Sequence, residues 1–168
     1  MSLAGQRVQQ GRYTVIPRTI SFLTRSGQVL LMRLSACRGA WAGKYNGIGG
    51  HIEQGEDPLQ SARREIEEET GLIPQAMRLV GVILIDTGAK PGVGLYVFVG
   101  GCAPGEPTGG REGGPVWVDF EALDPAELVE DLPALLPAAL ESYRTGRAFS
   151  GAYSYDEFGG LHIHLSPG

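Results

Sequence analysis

Residues 50–72 read GHIEQGEDPLQSARREIEEETGL, and the middle of this stretch carries the marks of one short helix. Asp57 is placed to cap it, Gln60 follows three residues later, Pro58 sits where a helix tolerates proline, and Gly71 suits the C-terminal turn. The spacing predicts a helix over 58–70. At ~100 degrees per residue, Leu59, Ala62 and Ile66 share an apolar stripe, and Glu65, Glu68 and Glu69 form the acidic stripe beside it. Carboxylates at i, i+4 repel by roughly 0.2–0.5 kcal/mol on an exposed helix, and these crowd toward the negative end of its dipole. Local stability does not select such a cluster. A hard divalent cation such as magnesium takes oxygen ligands and reverses the sign of the effect. Glu67 projects away from the stripe and reads as a solvated charge.

The rest of the chain fits one globular domain spanning residues 1–168, with 1–12 as a flexible lead-in. A length of 168 residues and 42% hydrophobic content are enough for a real core. Fourteen basic against nineteen acidic residues give a net charge of -5, which argues against a surface for polymeric nucleic acid. Cys37 and Cys102 lack metal-ligand spacing and suit a reducing compartment. No apolar run has membrane-spanning length and the N-terminus has no apolar signal core, so a cytoplasmic protein that is a monomer or homodimer is expected.

Strand-like runs fall at 13–23, 28–34, 77–85, 94–99 and 116–118, between turns rich in glycine and proline. Residues 121–123 and 126–143 read as helical segments broken by Pro133 and Pro137. The tail, 149–155 and 161–165 around DEFGG, reads as a hairpin. GGREGGP at 109–115 is a candidate mobile loop. Strands flanked by two helical regions predict an α/β fold with a mixed sheet between helices.

The acidic helix belongs to a longer pattern: Gly50, five residues, Glu56, seven residues, Arg64, Glu65, Ile66, any residue, Glu68, Glu69, any residue, Gly71, Leu72. This resembles the box of the Nudix hydrolases, with every specified position present. The resemblance implies an alpha/beta/alpha sandwich with a mixed sheet and hydrolysis of a nucleoside diphosphate linked to another group. It also implies Mg2+, with Mn2+ as a substitute, held against the pyrophosphate. Phosphoanhydride hydrolysis needs charge neutralisation, an aligned water and a stabilised leaving group, all within reach of divalent ions. Glu65, Glu68 and Glu69 are then the expected ligands, joined by the Gly49 carbonyl, with Glu65 or Glu68 as the alternative base for the water. Arg64 is expected to orient a box carboxylate, and Glu56 to act from a second shell around the metal.

Ahead of the box, WAGKYNGIGGH at 41–51 resembles a segment of MutT-type hydrolases of oxidised purine nucleotides. There Asn46 would read the base edge, since an amide donates and accepts at once. Its alternative is a turn residue in an Asn-Gly pair. His51 replaces the lysine usual in those relatives and either touches phosphate or lies in solvent. Glu112 matches a loop acid that some relatives bring near the metal, against a plain solvated glutamate. Glu130 and Asp131 lie where relatives carry an acidic pair that bonds the purine, against simple helix N-terminal charge. Trp41, Tyr45 and Trp117 are candidates for base stacking or for the core. Phrases marking the NADH- and coenzyme A-cleaving branches are absent, so the resemblance implies a nucleoside triphosphate as the leading substrate, an oxidised purine such as 8-oxo-dGTP as its sharper version, and another nucleoside diphosphate derivative as the alternative. The reading from another class is a nucleotide-binding sensor without turnover.

Overall fold

In the computed structural model, which describes residues 11–102, 104–109 and 113–168, strand β1 (Val15–Arg25) turns back into β2 (Gln28–Leu34). The two pair antiparallel only from Leu23↔Leu30 to Arg25↔Gln28. Beyond that they diverge, and the chain leading into the acidic helix fills the gap. Ser21 N–H donates to the Ile48 carbonyl (2.7 Å), Ile48 N–H returns to Ser21 (3.1 Å), and Thr19 N–H donates to Gly50 (2.9 Å). On the other side β3 (Tyr45–Asn46) pairs with β2 at Met32↔Asn46 and Arg33↔Tyr45. This fork fixes residues 45–52 by backbone bonds, so the entry to the helix inherits the rigidity of the sheet.

The other edge of β1 runs parallel to β5 (Gly92–Cys102), which pairs antiparallel with β4 (Pro74–Ile85). Next, β4 lies parallel to β7 (Phe149–Tyr155), and β7 forms an antiparallel hairpin with β8 (Leu161–Pro167). β6 (Gly113–Asp119) lies antiparallel along β2. The sheet is therefore mixed.

Alternation along the strands sends apolar side chains to both faces. Ile20, Phe22, Val29 and Leu31 join one core with Val97, Val99 and the helix α2 (Leu132–Thr145), whose Leu132, Leu135, Leu136 and Ala139 are buried. Leu23, Leu30, Met32 and Ile48 face the other way, against Ile66 of helix α1 (Pro58–Thr70) and Leu72. A helix on each face gives the alpha/beta/alpha arrangement. Each fully buried leucine or isoleucine contributes about 1.5–3 kcal/mol, so both helices are held by their apolar stripes.

Several expectations need correction. The segment 126–143 is not one broken helix: Pro125–Glu127 form a single 3-10 turn, and Val129 N–H donates to the Tyr45 carbonyl (3.0 Å). Pairing to β3 thus overrides helix propensity there. α2 begins at Leu132 with Pro133 in its first turn, where the missing N–H has no partner to lose. Pro137 lies inside the helix and does not end it. One lost hydrogen bond is outweighed by the burial of Leu135, Leu136 and Ala139 around it. β4 starts at Pro74 rather than Met77, the register shifting between Gln75 and Arg78. Gly113–Pro115, assigned above to a loop, already belong to β6. Glu112 and residues 1–10 of the expected flexible lead-in lie outside the described residues. Among the described residues, no helix is long and apolar enough to cross a membrane.

Candidate active site

The helix α1 is capped as its sequence predicts. Asp57 accepts from the N–H groups of Leu59 (2.8 Å) and Gln60 (3.0 Å), the Gln60 side chain accepts from Asp57 N–H (3.1 Å), and Gly71 closes the C-terminus with φ 69°. Such a cap contributes about 1 kcal/mol, and it fixes where the acidic stripe begins.

Arg64 is the hub of that stripe. Its Nε donates to Glu56 Oε1 (2.6 Å) and its Nη2 to Glu56 Oε2 (2.9 Å), a two-pronged pair, while Nη1 reaches Glu65 Oε1 (2.8 Å) and Glu68 Oε2 (3.3 Å). Nη2 also donates to the His51 carbonyl (3.0 Å) and approaches Ser61 Oγ (3.3 Å). One guanidinium therefore ties the loop before the helix to two carboxylates on it. The Arg64 hydrogen bonds, with help from the Glu53 N–H, hold the Glu56 carboxyl down at about 2. Arg64 itself is held above its ordinary value, first by Glu56.

The glycines ahead of the helix are required by close approach. A Cβ on Gly50 would overlap the Glu65 carboxylate, and one on Gly49 would overlap the Thr19 carbonyl. Backbone at 49–50 thus lies directly against the acidic stripe and the β1 edge.

Glu69 is placed differently from its neighbours. It is half-buried, its Oε2 is enclosed with no hydrogen-bond partner among the described residues, and its carboxyl is pushed up to about 7. Burial is the main cause and repulsion by Glu65 the next, opposed by the Gly49 N–H and the Arg38 charge. Glu69 and Gly49 line a cleft of about 360 Å³. Arg18, Arg38, Trp41 and Asn46 also line it, as do Glu130, Asp131, Tyr153 and Tyr155. Burial raises the Asp131 carboxyl, opposed by its own N–H and reinforced by Glu130. Asp131 occupies the N-cap position of α2 but makes no capping bond with its side chain.

The sequence candidates thus separate. Asn46, Glu69, Gly49, Glu130 and Asp131 share the cleft. Glu56, Arg64, Glu65 and Glu68 form the bonded cluster on the adjoining helix face, with Glu68 the most open of them, 61% exposed. His51 is exposed, and its recorded contacts are through its backbone: a bridge to Arg18 and a carbonyl that accepts from Arg64 and Ser61. Asn46 Oδ1 accepts from the Gly47 N–H (2.8 Å), which orients the amide at the cleft wall. Of the aromatic candidates only Trp41 lines the cleft. Tyr45 packs on the larger core, and Trp117 packs on the smaller one beneath the Arg25 guanidinium at 4.1 Å.

Among the described residues no three His, Cys, Asp or Glu groups are drawn together as a metal-holding cluster. Instead, Arg64 takes one oxygen of Glu65 and one of Glu68. The donor chemistry nevertheless fits a hard divalent cation, because the unpartnered buried oxygen of Glu69 is what such an ion would satisfy.

Arg18, Arg38, Tyr153 and Tyr155 escaped the sequence reading. The tyrosines did leave a signal: in FSGAYSY at 149–155 they stand two apart, on one face of a strand.

Comparison with known proteins agrees with this geometry. The NUDIX domain family model matches residues 16–139. An oxidized purine nucleoside triphosphate hydrolase from Danio rerio is 32% identical over 127 residues, covering 75% of this chain and 80% of that protein. The Mus musculus protein of the same name is 29% identical over 121 residues, covering 71% and 75%. A MutT protein from Bacillus halodurans superposes with a TM-score of 0.68 at 23% identity, covering 90% of this chain and 98% of that one. The match in sequence, in fold and at the acidic helix has one reading: the chain belongs to the NUDIX family and is a Nudix pyrophosphohydrolase.

Proposed function

We propose that the protein hydrolyses a purine nucleoside triphosphate, oxidised at the base as in 8-oxo-dGTP, to the monophosphate and pyrophosphate with magnesium. The observation that carries this reading is the lining of the cleft, in which Glu69 and Gly49 share one cavity with Asn46, Glu130 and Asp131. The Glu69 carboxylate suits metal-bridged phosphates, and an amide with two further carboxylates suits a purine edge. The names carried by the two vertebrate relatives point the same way.

Glu65, Glu68 and Glu69, with the Gly49 carbonyl, would hold the divalent ion. When bound, such an ion supplies charge neutralisation at the phosphoryl oxygens and makes water more acidic. The chain's own contribution begins with positioning. Arg64 holds Glu56, Glu65 and Glu68 in one geometry, so little reorganisation accompanies the reaction. Glu68, the more exposed carboxylate, is open to accept the proton of the attacking water; Glu65 is the alternative. Water adds to one of the two phosphorus atoms joined by the bridging oxygen, that P–O bond breaks, and the group on the other side leaves with the oxygen, giving monophosphate and pyrophosphate. Arg18 and Arg38 line the cleft as cationic groups for the phosphate chain. Trp41, 43% exposed at the cleft wall, offers a face for the base.

Asn46→Ala tests the base-reading part. The KM for purine triphosphates is expected to rise about 5- to 100-fold, the range for a lost two-bond contact to a base, while pyrimidine triphosphates are affected less. An equal loss on both classes would remove Asn46 from base recognition. A panel of nucleotides tested with magnesium addresses the activity itself: binding without turnover on every member would favour a sensor.

A further inference from the structure

Five buried side-chain polar atoms have no hydrogen-bond partner among the described residues: those of Thr19, Ser21, Glu69, Trp117 and Tyr153. Three of these residues, Thr19, Glu69 and Tyr153, line the one cleft described above. Unpaired buried polar atoms are unfavourable in the free protein, and their gathering around a cavity marks a wall built for a polar occupant. Glu69 is accounted for by the metal. Tyr153 is not.

Tyr153 is only 2% exposed and sits on β7, beyond residue 139 where the family match ends. Its pairing places it opposite Ile85 of β4 and Ile163 of β8, so the backbone is fixed on both sides. Glu130 and Asp131 line the same cleft, and after burial it is the Asp131 charge that most discourages ionisation of the phenol. The hydroxyl therefore stays protonated and can both donate and accept. A phenylalanine would fill the same space without the unpaired oxygen, so core packing alone does not explain a tyrosine there.

We propose that Tyr153 is a specificity-determining residue, its hydroxyl hydrogen-bonding the edge of a purine base held in the cleft beside Asp131. This rests on the nucleotide reading given under the proposed function, because it takes the lining at Asn46, Glu130 and Asp131 as the base site. The hydroxyl has no partner among the described residues, and a polar base edge would supply one. A substrate lacking a polar edge at that depth would leave it buried and unpaired, which is how such a group discriminates.

The test is Tyr153→Phe, which keeps the ring and removes one oxygen. The KM for purine triphosphates is expected to rise about two- to tenfold, the range for one neutral hydrogen bond. The kcat is expected to hold, since a contact far from the reacting phosphorus is made equally in ground and transition states. Pyrimidine triphosphates, which reach less far, are expected to show no change in KM. The Tm of the ligand-free protein is expected to stay level or rise. An unchanged purine KM overturns the assignment, as does an equal rise on pyrimidines. A lower ligand-free Tm overturns it too, because the hydroxyl would then serve the fold. Should the wild type hydrolyse no triphosphate, the nucleotide reading fails as a statement of activity. Tyr153 is then judged by calorimetric Kd values for purine monophosphates, where weaker binding by the variant supports it and equal binding, or none by the wild type, overturns it.

Discussion

Glu69→Gln is expected to lower kcat/KM about 10²- to 10⁴-fold while leaving the Tm of the metal-free protein unchanged or higher. The carboxylate is half-buried, one oxygen has no partner among the described residues, and burial together with Glu65 pushes its carboxyl up to about 7. A group in that state works against the fold of the free protein and becomes favourable once a cation faces it. Glutamine keeps the shape and discards the charge. Removing one member of a partly buried charge pair costs about 3–5 kcal/mol, which sets the range of the rate loss. Activity assayed over a magnesium titration, beside thermal unfolding in chelator, separates the two effects. Full activity in the variant would remove Glu69 from the metal site. A large fall in Tm would show that the carboxylate serves the fold.

Arg64→Lys is expected to reduce activity about 10- to 100-fold despite keeping the positive charge, as for other groups that orient metal ligands. Lysine cannot reproduce a fork that bonds Glu56 through two nitrogens and still reaches Glu65, Glu68 and the His51 carbonyl. The expected signature is a raised magnesium requirement, because Glu65 and Glu68 would then have to be ordered by the metal alone. Wild-type metal dependence in the lysine variant would show that charge, rather than geometry, is what Arg64 supplies.

The parts of the fold set by local rules were legible in the sequence. Asp57, Gln60, Pro58 and Gly71 are short-range signals and marked the helix to its ends. Strand-like runs bounded by turn residues marked β2 and the tail hairpin in the same way. What escaped was decided over distance. Leu128 and Val129 carry helix-compatible residues, yet pairing to Tyr45, more than eighty positions earlier in the chain, holds them extended. Pro137 looked like a breaker, and the buried leucines around it prevailed.

The site divides along the same line. Spacing within one helix was enough to group Glu65, Glu68 and Glu69, but it treated them alike. The structure separates them by environment: Glu65 and Glu68 lean on Arg64, whereas Glu69 faces the cleft. Arg18, Arg38, Tyr153 and Tyr155 come from three distant segments, and only the sheet brings them to one cavity. No local pattern encodes that meeting.

The most direct measurement is the hydrolysis of 8-oxo-dGTP by the purified protein in magnesium and in chelator, with the phosphorus products resolved. Monophosphate and pyrophosphate in equal amounts, formed only with the metal, are the expected result. Turnover that survives chelation, or release of orthophosphate with a diphosphate, would contradict the assignment of the acidic helix to a metal-dependent cleavage next to the nucleoside phosphate.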